Sequence, residues 1–257
     1  MKEAYPVITG ADAFLYEGSK VGILLCHGFL GTPQSVEYIG KVFAKQGYTV
    51  SAPRLAGHGT HYKDLAHCSF SDWYLSLEKA YLDLKERCER IYVIGQSMGG
   101  TLTLDLASHY KDIDGILLIN PAIHVPAMSP YQNIPSTKYI NESKPDIKNP
   151  DVKEITYPKV PAFAYQQLLA YMDVVKKNLS LVKNPILCFQ STIDHVVPPE
   201  NTDFILQRVQ SDIKLKHVLD NSYHVASMDY DNEKIIRKSL QFIQSLSTSN
   251  RLNKVNQ

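Results

Sequence analysis

The sequence predicts an α/β chain: a mostly parallel central sheet, helices on both of its faces, and one long insertion. Three observations predict it. Short apolar runs at 21–26, 48–52, 91–94, 115–120 and 185–190 alternate with stretches of helical periodicity, as strands covered on both faces require. The 257 residues suit one large domain spanning 1–257, with a substantial core. Eight of the 14 prolines crowd into 121–161, where periodicity lapses, so roughly 121–180 reads as a cap inserted within that domain over the sheet's edge.

The first strand, Val21 to Cys26, ends at His27-Gly28-Phe29-Leu30-Gly31. Thr32 is placed to cap the next helix, with Pro33 at its first position and Val36, Ile39, Val42 and Phe43 at helical spacing. Gly47 stops that helix before a strand at 48–52 and the loop Pro53-Arg54-Leu55-Ala56-Gly57-His58-Gly59-Thr60. Another helix is expected to start at Asp72 and carry Leu75, Leu77, Tyr81, Leu82 and Leu84 to about Cys88. After the strand at 91–94 come a helix near 98–109 and the strand 115–120. The sheet resumes at 185–190 and ends at 216–219. A last helix carries Ile235, Ile236, Leu240, Phe242 and Ile243, and the polar tail from Ser247 is expected to fray.

Composition narrows the function. The 27 basic and 26 acidic residues leave a formal charge of +1, so nothing points to nucleic acid or an anionic membrane. Neither a signal peptide nor an apolar stretch of about 18 residues is visible, which leads to the expectation of a cytoplasmic protein without membrane insertion. Cysteines 26, 68, 88 and 188 form no C-x-x-C and read as buried thiols.

The chemistry centres on Gly95-Gln96-Ser97-Met98-Gly99 between a strand and a helix, a nucleophile elbow. Such a turn lifts its serine above the sheet and aims a helix N-terminus at developing negative charge. A serine hydroxyl needs a histidine base oriented by a carboxylate, each in a loop just past a strand. Asp194, after the 185–190 strand, and His224, after the last strand, meet that test in the order serine, acid, histidine. His195, His109, His217, His124 and Asp220 occupy less suitable places. Two N–H donors for an oxyanion are expected from Met98, after the nucleophile, and Phe29, in the loop after the first strand. His58, His61, Asp64 and His67 recur every three residues and invite a metal, but the run opens in a Gly-rich loop and a serine triad requires none, so no metal or cofactor is expected. The phosphate-binding and dinucleotide fingerprints are absent.

Six blocks then carry a family resemblance: His27-Gly28-Phe29-Leu30-Gly31-Thr32-Pro33, Pro53-Arg54-Leu55-Ala56-Gly57-His58-Gly59, Ser71-Asp72-Trp73, Gly95-Gln96-Ser97-Met98-Gly99-Gly100, Asp194-His195-Val196-Val197-Pro198-Pro199 and Asn221-Ser222-Tyr223-His224-Val225. Together, from about residue 20 to 245, they resemble the bacterial monoacylglycerol lipases and the related small bacterial carboxylesterases. The resemblance implies an α/β-hydrolase fold with a small cap, hydrolysing monoacylglycerols or similar single-chain esters without a cofactor. It implies a triad at Ser97, Asp194 and His224, oxyanion donors at Phe29 and Met98, and a glycerol-holding cap glutamate at Glu154, within Lys153-Glu154-Ile155-Thr156-Tyr157-Pro158. Gln96 departs from the pattern, where relatives often carry Leu, and 124–146 matches poorly, leaving acyl-chain preference open.

The cap offers Tyr157, Phe163, Tyr165, Leu168, Leu169 and Met172 as an apolar lining for an acyl chain, or as residues that merely dock the cap. The expected partner is a small-molecule ester substrate, and the chain is expected to be a monomer or homodimer. Two other readings stand beside the lipase: a general carboxylesterase for short or medium chains, and a non-catalytic binding protein on the same fold. An intact triad and oxyanion loop favour the enzyme.

Overall fold

The computed structural model describes the backbone of residues 3–255 and the side chains of residues 3–247. In chain order the strands are β1 (Phe14–Tyr16), β2 (Val21–Cys26), β3 (Thr49–Ala52), β4 (Arg90–Gln96), β5 (Gly115–Ile119), β6 (Tyr139–Asn141), β7 (Lys159–Pro161), β8 (Ile186–Ser191) and β9 (Lys214–Leu219). The helices are α1 (Gln34–Lys45), α2 (Tyr62–Leu65), α3 (Phe70–Lys85), α4 (Met98–His109), α5 (Ala162–Asn178), α6 (Glu200–Arg208) and α7 (Asn232–Val255). Seven strands form one sheet in the order β1-β3-β2-β4-β5-β8-β9, parallel throughout except where β1 runs against β3.

The strands read as continuous apolar runs because both faces are covered. Successive residues alternate between two cores. Leu24, Val93, Leu118 and Cys188 face α3, α4 and α5, while Ile23, Tyr92, Leu117 and Phe189 face α1 and α7. Each fully buried Leu, Ile or Phe contributes roughly 1.5–3 kcal/mol. No helix among the described residues is long and apolar enough to cross a membrane.

Several local expectations give way. Thr32 does not cap α1: its carbonyl accepts the Ser35 N–H and hydroxyl at 3.0 Å each, and Pro33 takes the cap position. Helix α3 begins two residues earlier than expected, and Asp72 lies in its first turn, accepting the Ser69 N–H at 2.8 Å. Leu75 and Leu82, expected in the core, are exposed at 57% and 43%, whereas Trp73, Leu77, Ala80, Tyr81 and Leu84 are buried. The buried set is a true i, i+4, i+7 stripe, and Leu75 and Leu82 lie on the opposite face. The tail from Ser247 continues α7 through Val255; Asn256 and Gln257 lie outside the described residues.

The insertion between β5 and β8 holds a 3-10 helix at Pro126–Asn133, the antiparallel pair β6 and β7, and α5. Leu168, Met172 and Val175 of α5 share one cluster with Leu102 of α4 and Leu118 of β5, so the insertion has no core of its own.

Candidate active site

Strand β4, in the middle of the sheet, delivers Ser97 into a backbone conformation of φ 57° and ψ −120°. A non-glycine residue at positive φ stores roughly 1–3 kcal/mol, held here by the surrounding packing. The flanking glycines are obligatory. A β-carbon on Gly95 would lie 2.1 Å from Gly99 O, and one on Gly99 would lie 2.3 Å from Cys26 O. No side chain at either position lets α4 start so close to β2 and β4.

Ser97, His224 and Asp194 form one hydrogen-bonded chain. Ser97 Oγ is 2.8 Å from His224 Nε2, and His224 Nδ1 is 2.7 Å from Asp194 Oδ2. The carboxylate can only accept, so Nδ1 carries the proton and Nε2 is left to accept from the serine hydroxyl. Asp194 Oδ1 in turn accepts the Val196 and Val197 N–H groups at 2.9 and 2.8 Å, which fixes its rotamer. Asn120 holds the other side: its amide donates to His224 O and Ser191 Oγ at 2.9 Å each. Gln96, the departure noted in the sequence, is buried, and its Oε1 accepts the Ser227 N–H at 3.1 Å, tying the elbow to the turn after His224.

The loop after β2 abuts the serine; a β-carbon on Gly28 would be 3.2 Å from Ser97 Cβ. Phe29 N–H donates to no acceptor among the described residues, and Met98, first in α4, has no carbonyl one turn back to bond. His27 sets the first of these. Its Nδ1 lies 2.9 Å from Gly28 O, and its Nε2 accepts Leu55 N–H at 3.2 Å. Burial holds His27 down to about 3, so the ring is neutral with its proton on Nδ1. In a trans peptide C=O and N–H point apart, so pinning Gly28 O turns the Phe29 N–H the other way. The Phe29 ring packs on Trp73, Tyr165 and His58 at centroid distances of 5.8, 5.3 and 6.2 Å. The blocks around Leu55, His58 and Trp73 thus support this loop, a role the sequence alone did not reveal.

A cleft of about 780 Å³, mouth included, opens above Ser97 and His224. Leu30, Val125, Met128, Leu168 and Val197 give it apolar wall, and Glu142, Asp146 and Glu154 add carboxylates. Of the six apolar cap residues proposed as lining, Tyr165 and Leu168 border the cleft. Leu169 and Met172 are buried in the core, Phe163 does not border the cleft, and the Tyr157 hydroxyl donates to Gly57 O at 2.7 Å while accepting Thr60 N–H at 2.8 Å. Glu154 reaches the cleft, and burial lifts its pKa to about 7 against a downward pull from His224.

The periodic run His58, His61, Asp64, His67 does not converge. His58 is buried, held down to about 4 by burial, with Nδ1 3.1 Å from Ala56 O. His61 accepts Lys63 N–H, and Asp64 accepts Ala4 and Tyr5 N–H. Among the described residues, no group of three or more His, Cys, Asp or Glu side chains is arranged to hold a metal ion.

The family described as serine aminopeptidase, S33 (Hydrolase_4) matches residues 18–231. The chain is 48% identical over 246 residues to a thermostable monoacylglycerol lipase of Bacillus sp. (strain H-257), covering 94% of this chain and 98% of that one. It is 27% identical over 239 residues to a carboxylesterase of Bacillus subtilis (strain 168), covering 91% and 96%. Among solved structures it is similar to a metagenome-derived lipolytic enzyme of the LipS and LipT pair, at 39% identity and a TM-score of 0.89 over 93% of this chain and all of that one. The monoacylglycerol lipase of Paleococcus ferrophilus shares the fold at 18% identity, with a TM-score of 0.77 over 91% of this chain and 98% of that one.

Proposed function

The chain belongs to the serine aminopeptidase S33 family (Hydrolase_4), and from that premise we infer a carboxylic ester hydrolase that cleaves monoacylglycerols to fatty acid and glycerol through an acyl-enzyme. The observation that carries this reading is the unbroken chain Ser97–His224–Asp194 at the floor of a partly apolar cleft.

Ser97 Oγ attacks the ester carbonyl carbon as His224 Nε2 takes the hydroxyl proton, and Asp194 stabilises the imidazolium that forms. The carbonyl oxygen becomes an oxyanion bound by the Phe29 and Met98 N–H groups, each such donor contributing roughly 2.7–4 kcal/mol. Collapse breaks the bond to the glycerol oxygen, which receives the proton from His224. A water molecule, deprotonated by the same imidazole, then attacks the acyl-enzyme, and the proton returns to Ser97 Oγ as the fatty acid leaves. No cofactor enters this cycle.

Residues 121–180 act as the cap. Leu168 and Tyr165 contact the acyl chain, and the Glu154 carboxylate accepts hydrogen bonds from the free glycerol hydroxyls. The site is a cytoplasmic one in this reading, supported by four buried cysteines with no disulfide among them.

The test is a hydrolysis profile over monoacylglycerols and the matching methyl esters at graded acyl length. This reading expects kcat/KM to favour the monoacylglycerol at every length. Equal values for the two series would leave a general carboxylesterase.

A further inference from the structure

We propose that Asp146 is a positioning residue that clamps the two loops carrying Asp194 and His224 to the cap. The proposal rests on the triad assigned above. Asp146 lies between β6 and β7, in the segment whose sequence matched the family poorly, and it borders the cleft. Its Oδ2 accepts the N–H of His195, the residue after the acid, at 3.1 Å, and the N–H of His224 itself at 3.2 Å. Its Oδ1 lies 2.8 Å from His195 Nδ1, and its backbone carbonyl accepts Val225 N–H at 3.1 Å. One cap residue therefore bonds the chain at both triad loops, which are also joined by the His224–Asp194 bond, by Asn120, by the Ser191 hydroxyl donating to Tyr223 O at 2.9 Å and by the His195–Tyr223 ring contact.

The clamp is reciprocal. Asp229, 1% exposed, reaches back from beyond His224 and accepts the N–H groups of Lys148 and Asn149 in the cap at 2.7 and 3.1 Å. The same carboxylate accepts Tyr223 N–H at 2.9 Å. Residues 146–149 are thus laced to 223–225 from both sides.

The consequence concerns alignment. A base must be held within about 0.5 Å of its productive place, and a misplacement of about 1 Å costs on the order of 100-fold. One carboxylate oxygen accepts the backbone N–H of both residue 195 and residue 224, so Asp146 ties the acid's loop to the base's and sets the spacing between them. His195 is a minor contributor, since its ring is 58% exposed and an exposed ion pair is weak. The His224 spacing is what Asp146 governs, without touching the reacting atoms of the triad.

The test reads the rate of Ser97 acylation by a p-nitrophenyl ester, per active site titrated with an organophosphonate, alongside the thermal midpoint. Asp146→Ala is expected to slow acylation roughly ten- to hundredfold with KM unchanged. Asp146→Asn keeps a carbonyl oxygen able to accept both N–H bonds and is expected within about threefold of wild type. Asp146→Glu keeps the charge but moves the acceptor by one methylene, and is expected to fall roughly tenfold. Should the alanine variant not fold, the Asn and Glu variants decide. Wild-type acylation in Asp146→Ala, or Glu restoring what Asn loses, would overturn the proposal. A structural staple alone would lower the midpoint and leave acylation per titrated site unchanged. Wild-type enzyme that the organophosphonate does not label would instead remove the triad assignment itself.

Discussion

Gly31 and Glu154 pack so closely that a β-carbon on residue 31 would lie 2.6 Å from Glu154 Oε1. The loop after β2 thereby leaves room for a half-buried carboxylate beside the candidate oxyanion donors. Burial raises Glu154 to about 7, and His224 is the one group that pulls it down; no hydrogen-bond donor contributes. A carboxylate half-buried at the cleft without a donor is suited to accept hydroxyls that arrive with a substrate.

Glu154→Ala is therefore expected to lower kcat/KM for a monoacylglycerol by about ten- to hundredfold, since charge-assisted bonds contribute roughly 1.5–3 kcal/mol. The methyl ester of the same acid should change little. Acidity gives a second handle on the same residue. Because the pKa is raised to about 7, the group is neutral below that value and becomes the stronger, anionic acceptor above it. The ratio of kcat/KM for monoacylglycerol over methyl ester, in which pH effects common to both substrates cancel, should rise with pH through about 7 in wild type. It should be flat in Glu154→Gln. The sign for stability is opposite: ionising a buried carboxylate opposes folding, so the thermal midpoint of Glu154→Gln should gain on wild type as pH rises from about 4.5 through about 7.

Asp194 and Asp220 both lie near His224 in sequence or space, and their variants should separate them. Asp194→Asn should lower kcat by about 10⁴, because the amide favours the wrong imidazole tautomer. Asp220 is 72% exposed and 3.6 Å from Lys234, so Asp220→Asn should stay near wild type. Steady-state kinetics of the two purified variants checks the ranking.

His27 is expected to act on rate more than on binding. His27→Ala frees Gly28 O and leaves the Leu55 N–H without its acceptor. It should lower kcat roughly 10²-fold through the Phe29 donor, hold KM, and cost about 1–3 kcal/mol of stability. Denaturant unfolding and kinetics on the same preparation read the two effects.

What the sequence made legible follows from how each signal arises. Strands β2, β4, β5 and β8 announce themselves because two-sided burial demands unbroken apolar runs. Strand β1, two half-buried residues around an exposed one at an edge, and α6, with its sequence ENTDFILQR, carry no comparable pattern. Leu75 and Leu82 misled because hydrophobicity was counted without fixing the helical phase. Ser97, Asp194 and His224 were readable from strand-end placement and chain order. Asp146 and Gln96 were not, since their bonds span 49 to 131 residues and no local rule anticipates them.

The most direct measurement of the central claim is stoichiometric labelling of Ser97. A serine-directed organophosphonate should modify one residue per chain, found by peptide mass mapping at Ser97, and abolish turnover in proportion. Ser97→Ala should fold normally, take up no label, and lose on the order of 10⁴–10⁶ in kcat. Label at another residue, or near-normal ester hydrolysis by Ser97→Ala, would contradict the account.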